Sequence, residues 1–229
     1  MKTQSFRFRG GVARVAAWHG RPDIASVALQ SRGAISIDAV EKLLDQLRAA
    51  GYCEVITNAL APGPSLPLVD SGFTIRGRLH LLSHDLESLP PATRLTRRAR
   101  RADNEELLRV DSAAFDEFWR LDAFGFDQAA RATPRSHTRV TREAPLVGYA
   151  LFGRADDVGY VQRLAIRPDA QGRGIGPALL GDGLRWLRAH NARSAFVNTQ
   201  VDNDRALALY ERAGFRRLPV GLCVFGRSL

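Results

Sequence analysis

Gln171-Gly172-Arg173-Gly174-Ile175-Gly176 decides how the chain is read, because of what flanks it. Before it runs Tyr160-Val161-Gln162-Arg163-Leu164-Ala165-Ile166, an apolar and β-branched run that predicts a strand. After it, Ile175, Leu179, Leu180, Leu184 and Leu187 recur at helical spacing and predict an amphipathic helix. Three glycines therefore stand at a strand-to-helix turn. Glycine lets backbone approach a ligand closely, and the first helical turn offers unpaired N–H groups to an anion. With the helix dipole this predicts a cradle for phosphate or pyrophosphate. Pro177 fits, since a first-turn residue needs no N–H. The spacing is neither the dinucleotide G-x-G-x-x-G nor a nucleotide-triphosphate loop, which needs Gly-Lys-Ser/Thr.

About thirty residues on comes a second motif, Asn203-Asp204-Arg205-Ala206-Leu207-Ala208-Leu209-Tyr210-Glu211-Arg212-Ala213-Gly214-Phe215. The two motifs, in this order and spacing, resemble the GNAT superfamily of acyl-CoA-dependent N-acyltransferases. The resemblance covers roughly residues 92 to 229. It implies an α/β fold, a mixed sheet with helices on both faces, in the order β-α-α-β-β-β-α-β-α-β-β. The residues predict the same order: strands at 94–101, 138–142, 146–154, 158–166, 195–200, 215–218 and 221–225. Asp103 or Asn104 can cap a helix through Leu107, Leu108, Val110, Ala114 and Phe115, and an irregular helical stretch follows from Phe118 to about Arg131.

Acyl transfer from a thioester to an amine needs a held cofactor, a free amine, a stabilised oxyanion and a proton for the leaving thiolate. The turn from Gln171 through Gly172, Arg173, Gly174 and Ile175 to Gly176 is the candidate for holding acetyl-CoA as cosubstrate, with Arg173 adding charge. The resemblance places Leu164, Ala165 and Ile166 along the cofactor arm, with an N–H at or near Leu164 facing the thioester carbonyl. It also makes Tyr210 the proton donor. A free phenol titrates near about 10 and a thiol near about 8 to 9, so a tyrosine can serve a thiolate. Asn203 is an N-cap, a contact to the cofactor arm, or both. Related enzymes use a glutamate on the strand before the turn, but residues 160–166 hold no carboxylate. Asp157, Glu143, His137 and Asp122 are the candidate bases, and Asn198 a candidate to orient water. An α-amine with pKa near about 8 needs little help. No Ser-His-Asp or metal-ligand spacing stands out, so no metal is expected.

The chain has 229 residues, of which 45% are hydrophobic, enough for a packed core. No run approaches the roughly 18 apolar residues of a membrane span, and the N-terminus lacks a signal peptide's apolar stretch, so a cytoplasmic protein is expected, and the excess of arginine over lysine fits a GC-rich bacterial genome. Cys53 and Cys223 each sit in an apolar run and read as buried core thiols. Net charge is +9, almost all from arginine, since Lys2 and Lys42 are the lysines. Such charge attracts polyanions: coenzyme A, acidic protein surfaces or RNA. Arg94, Arg97, Arg98, Arg100 and Arg101 cluster, but no aromatic residue interleaves with them, which argues against a nucleic-acid surface.

The first ninety residues echo the rest. Residues 11–18 and 24–29 predict a β-hairpin, and Asp38 is the expected cap of a helix through Val40, Leu43, Leu44 and Leu47. Residues 55–57 and 79–82 predict strands, and 61–65 a loop. Leu47-Arg48-Ala49-Ala50 before Val55-Ile56-Thr57-Asn58 parallels Leu187-Arg188-Ala189-His190 before Phe196-Val197-Asn198-Thr199. Ser71-Gly72-Phe73 parallels Ala213-Gly214-Phe215, and Gln30-Ser31-Arg32-Gly33 parallels Gln171-Gly172-Arg173-Gly174. The order is constant and the offset stays near about 141. Residues 1–90 therefore read as a partial, degenerate GNAT-like domain and 91–229 as the catalytic one. In the copy Ser31 and Ile35 replace Gly172 and Gly176, Leu68 replaces Tyr210, and two prolines replace the helix after the strand. Tandem members with one silent half exist in the family, mycothiol synthase among them.

The stretch Thr199-Gln200-Val201-Asp202-Asn203-Asp204-Arg205-Ala206 is similar to that of ribosomal-protein alanine N-acetyltransferases. That implies an N-acetyltransferase with a protein or peptide N-terminal amine as acceptor. A small amine is the alternative acceptor. A non-catalytic acyl-CoA-binding module is the alternative class, and Tyr210 argues against it.

Overall fold

The structure, a computed structural model, describes residues 4–8, 11–31, 35–61, 66–93 and 95–229. The expected glycine-turn parallel at 30–33, most of the loop at 61–65, and Arg94 lie in whole or part outside these residues. In chain order the elements are β1 (Gln4–Phe8), β2 (Gly11–Trp18), β3 (Arg21–Ser31), α1 (Ile37–Ala49), β4 (Glu54–Thr57), α2 (Leu66–Asp70), β5 (Thr74–His84), β6 (Thr96–Arg98), α3 (Asn104–Ala114), α4 (Ala123–Arg131), β7 (Arg135–Thr141), β8 (Gly148–Ala155), β9 (Val158–Ile166), α5 (Ile175–Ala189), β10 (Ser194–Gln200), α6 (Asp204–Arg212), β11 (Arg216–Arg217) and β12 (Leu222–Ser228). Two compact units emerge: Met1–His80 with Pro219–Leu229, and Leu81–Leu218. The cut falls inside β5, whereas the internal repeat sets the boundary at 90/91.

In the first unit β1, β2 and β3 form an antiparallel meander, turned between β2 and β3 at His19 and Gly20. β3 pairs parallel with β4, and β12 runs antiparallel to β4 and to residues 74–79 of β5. Residues 222–228 do not close the second unit; they hydrogen-bond within the first, a long-range pairing that no local pattern announces. α1 lays Val40, Leu43, Leu44 and Leu47 on Ala13, Val15, Ala25 and Val27, as its apolar spacing predicts. Its cap is Ser36, whose Oγ accepts from the Ala39 N–H at 3.2 Å, and not Asp38, which pairs with Lys42 at 2.8 Å in solvent. A five-residue helix, α2, forms just past the two prolines, where none was expected, and buries Leu68. Both cysteines are free, but Cys53 is exposed in the turn before β4 and Cys223 is half-buried, so neither is the core thiol expected.

In the second unit β10 pairs parallel with β9, and β9, β8, β7 and β6 follow antiparallel. α5 covers one face, packing Leu179, Leu180, Leu184 and Leu187 against Ala150, Phe152, Val161, Ala195 and Val197. α3 covers the other with Leu107 and Val110 against Val140, Tyr149 and Ala165. A short 3₁₀ turn, Arg101–Asp103, leads into α3. Asp103 caps that turn, accepting from the Arg100 N–H at 2.6 Å, and makes a fork-to-fork pair with Arg97 rather than capping α3. The Arg97 guanidinium holds its carboxyl down to about 2. Asp122 does cap α4, accepting from the Gly125 N–H at 2.7 Å. Among the described residues no helix is long and apolar enough to cross a membrane.

Gly183 marks the tightest contact between α5 and the sheet: a Cβ there would overlap the Phe152 ring. Gly183→Ala should therefore lower stability by about 1–3 kcal/mol through overpacking. Urea unfolding should show a lower midpoint with an unchanged slope; an unchanged midpoint would contradict this packing.

Candidate functional site

β9 and β10 pair only from Val158 and Ser194 to Tyr160 and Phe196, although β9 runs on to Ile166 and β10 to Gln200. Beyond that point the parallel strands part. β9 stays bonded to β8, with a bulge that leaves Gln162 as the extra residue between Val161 and Arg163. The Arg167 N–H bonds Val147 O at 2.9 Å, toward β8. Alternation along a strand then turns Ala165 to β8, and Leu164 and Ile166 toward the gap. The strand thus presents an unpaired edge to a cleft.

At the top of β9 the Gln171 Nε2 donates to Ile166 O at 3.2 Å and ties the turn to the strand. Gly172 and Gly174 sit at φ of +81° and +76°, where a side chain is strained, and a Cβ at either would meet open space. Among the described residues the N–H groups of 172 to 176 have no acceptor; Ala178 is the first to bond back, to Gly174 O at 3.2 Å. α5 starts without a side-chain cap and without an acid in its first turn. Five successive free donors at a helix start, with the positive dipole end behind them, form a nest for an anion. At Gly176 a Cβ would stand 3.1 Å from Ile166 Cδ1 and 3.2 Å from Leu209 Cδ2, so strand, α5 and α6 meet closely there.

A cleft of about 550 Å³ runs along this edge. Leu164, Ala165, Ile166, Gln171, Gly172, Gly174, Ile175 and Gly176 line one wall, and Asn203, Arg205, Leu209, Tyr210 and Arg212 the other. Arg173 is not among them; its guanidinium turns to Glu143 at 2.9 Å. Arg205 and Arg212 put two cations on the cleft that the sequence reading missed. Their placement, in the first and last turns of α6 at i−4 and i+3 from Leu209, was the available signal. Asn203 Oδ1 accepts from the Ala206 N–H at 3.0 Å, so it caps α6 while lining the cleft. Tyr210 is 5% exposed and packs edge-on to Phe215 at 5.7 Å. Its hydroxyl has no hydrogen-bond partner among the described residues, and burial pushes its pKa well above the ordinary phenol value, with Arg163 pulling the other way.

Arg163, next to Leu164, is pinned from behind. Its Nε and Nη2 donate to Asp111 at 2.8 Å each, its Nη2 also to Trp119 O at 2.7 Å, and its guanidinium lies 3.5 Å over the Phe115 ring. Asp111, fully buried, also accepts from Tyr149 OH at 2.6 Å and the Leu121 N–H at 2.7 Å, so every lone pair of the carboxylate is used. None of the four candidate bases lines the cleft. Glu143 is paired to Arg173, Asp122 caps α4, Asp157 sits in the β8–β9 turn, and His137 stacks on Trp186 at the far end of α5. Asn198 is exposed on β10. Among the described residues no cluster of His, Cys, Asp or Glu is arranged to hold a metal.

The sequence model of the acetyltransferase (GNAT) family matches residues 99–215, and the chain belongs to that family of acyltransferases. Its members use acetyl-CoA as cosubstrate in general. Over 78% of the chain it is 29% identical to a mycothiol acetyltransferase of Gordonia bronchialis, spanning 64% of that protein, so it covers less than two thirds of this relative. Over 52% of the chain it is 34% identical to the N-alpha-acetyltransferase RimI of Mycobacterium tuberculosis, covering 75% of it. In fold it is similar to a tandem GNAT protein from the clavulanic acid biosynthesis pathway, with TM-score 0.67 and 12% identity over 96% of this chain and 79% of that one.

Gly174→Glu tests the nest. The added carboxylate points into the open space above five free N–H groups and repels a phosphate. Calorimetry should show acetyl-CoA binding lost while the unfolding free energy falls by no more than the strain of one left-handed residue, about 1–2 kcal/mol. Affinity within about twofold of wild type, roughly 0.4 kcal/mol, would put the cradle elsewhere.

Proposed function

We propose that the chain transfers an acetyl group from acetyl-CoA to a primary amine, with the α-amine of a peptide or protein as its acceptor. The observation that carries this reading is the Tyr210 hydroxyl, without a hydrogen-bond partner among the described residues, in a cleft walled by an open strand edge and a nest of N–H groups. The nest takes the pyrophosphate, with Arg205 and Arg212 as counter-charges. The edge at Leu164 and Ile166 pairs with the amide-bearing arm as a further strand would, and the Leu164 N–H faces the thioester carbonyl oxygen.

The amine nitrogen attacks the carbonyl carbon, and the carbonyl oxygen takes negative charge against the Leu164 N–H. The attacking nitrogen gives its extra proton to water at the tetrahedral stage, the carbon–sulfur bond breaks as Tyr210 gives its proton to the sulfur, and the phenolate regains a proton from water, so one proton leaves nitrogen and one arrives on sulfur. Burial raises the pKa of the phenol, and it acts on a thiolate in the same cleft in the same direction. The proton therefore stays on Tyr210 until charge grows on sulfur. With no carboxylate on the cleft wall, the amine must arrive unprotonated, which suits an α-amine of pKa near about 8 better than a lysine near about 10.4. Similarity to the N-alpha-acetyltransferase supports the α-amine reading. The longer match to the mycothiol acetyltransferase supports a small amine as the second reading.

The first unit reads as a silent copy. Its β3, α1, β4 and α2 repeat the succession β9, α5, β10 and α6, with β3 and β4 parallel like β9 and β10. Where the second unit has a cleft, this one has a void of about 10 Å³ walled by Val27, Ile35, Leu68 and Phe73. Side chains fill the place a cofactor arm needs.

Tyr210→Phe should lower kcat by about 10²- to 10⁴-fold while leaving acetyl-CoA affinity nearly unchanged, because the hydroxyl acts only as sulfur becomes negative. Matched steady-state rates with an N-terminal peptide or a small amine, and calorimetry giving one coenzyme A site per chain in both proteins, check it. A variant keeping more than about a third of wild-type kcat under rate-limiting chemistry would make Tyr210 a packing residue.

A further inference from the structure

Trp186 stands ten residues beyond Gly176 on α5, about 15 Å along the helix from the nest. There, at the opposite end of the sheet, lies a second cavity of about 550 Å³, lined by Arg98, Arg135, Ser136, His137, Trp186 and His190. The His137 and Trp186 rings stack at 4.9 Å and 9°, and His190 adds a third ring at 4.7 Å from Trp186. A smaller hollow of about 230 Å³ adjoins it, sharing Arg98, Ser136 and His137 and adding Arg100, Arg101 and Phe126.

Among the described residues no carboxylate lines either hollow. The neighbouring Arg97, Arg139 and Arg185 are neutralised by Asp103 and Asp182. Arg98, Arg100, Arg101 and Arg135 make no ion pair among the described residues. Arg154, opposite Arg135 in the β7–β8 register, keeps a buried Nε with no acceptor. Burial, with Arg139 and Arg98 close by, holds His137 down to about 4, so its ring is neutral at pH 7. Unpaired guanidinium groups beside a pile of flat rings are the chemistry that holds a phosphate and a base together. Two adjoining hollows hinged on Arg98 fit two linked units better than one. The arginine cluster at 97–101 lacks aromatic neighbours in sequence, but the fold supplies them from β7, α4 and α5.

We propose that this end of the second unit binds nucleotide units of a single-stranded nucleic acid, their phosphates at Arg98, Arg135 and Arg101 and their bases against the His137–Trp186–His190 rings. The test uses the full chain with saturating coenzyme A, so that the acyl cleft is filled, and again without it. A fluorescein-labelled ten-nucleotide single-stranded RNA is titrated by anisotropy against three proteins. These are wild type, the pair Arg98→Ser with Arg135→Ser, and a charge-matched control, Arg48→Ser with Arg131→Ser.

Wild type should bind with or without coenzyme A, and the Arg98/Arg135 pair should lose about tenfold or more, with its salt slope reduced by about 1.4, two phosphate contacts at about 0.7 each on a single strand. The control should change less than about threefold. Adenosine monophosphate binding with the same arginine dependence, and no gain for the strand, keeps the nucleotide chemistry but makes the free molecule its source. No RNA binding, equal losses in both double variants, displacement by a polyglutamate peptide of equal charge, or inorganic phosphate binding as tightly as adenosine monophosphate would each overturn the proposal.

Discussion

Beyond Tyr160 and Phe196 two parallel strands stop sharing hydrogen bonds, and the site depends on how they are kept apart. A strand edge with free N–H and C=O groups is costly unless something pairs with it. β9 cannot drift back to β10 because it is held from the other side: bonded to β8, bulged at Gln162, and anchored by Arg163 to the buried Asp111. Gly153 makes the bulge possible, since a Cβ there would strike the Gln162 side chain and Thr133. On the far wall Leu209 and Tyr210 of α6 line the cleft and pack into the core of the second unit.

The Asp111–Arg163 pair shows why such a network is retained. A buried ion pair adds little net stability by itself, but removing one partner strands a charge in the core. Here the pair fixes geometry: it joins α3, the 119–121 segment, β8 and β9 at the residue beside Leu164. The positive charge also bears on the Tyr210 phenol, opposing the effect of burial.

Much of this was legible in the sequence because it is local. The strand Val158–Ile166 and the apolar stripe of α5 follow from periodicity, and the glycine turn from backbone conformations that only glycine adopts without strain. What was not legible is set by pairing between distant segments. The last strand looks like the end of the catalytic half, yet its partners are residues 54–56 and 74–79. The exposed pair of Arg173 with Glu143, thirty residues away, is likewise a contact that no local pattern announces. Ser36 outcompetes Asp38 as a cap because it has the extended backbone that a cap requires. The ring pile beside the arginines is assembled from a strand and a helix about fifty residues apart.

The central claim is that the open edge of β9 and the turn above it receive the cofactor, and that the first unit does not. Amide hydrogen exchange of the full chain, with and without coenzyme A, reads those groups directly. Exchange should slow at Leu164, Ile166 and residues 172–176, with no change in β3 or α1. Unchanged exchange along that edge at saturating coenzyme A, or protection appearing in the first unit instead, would contradict it.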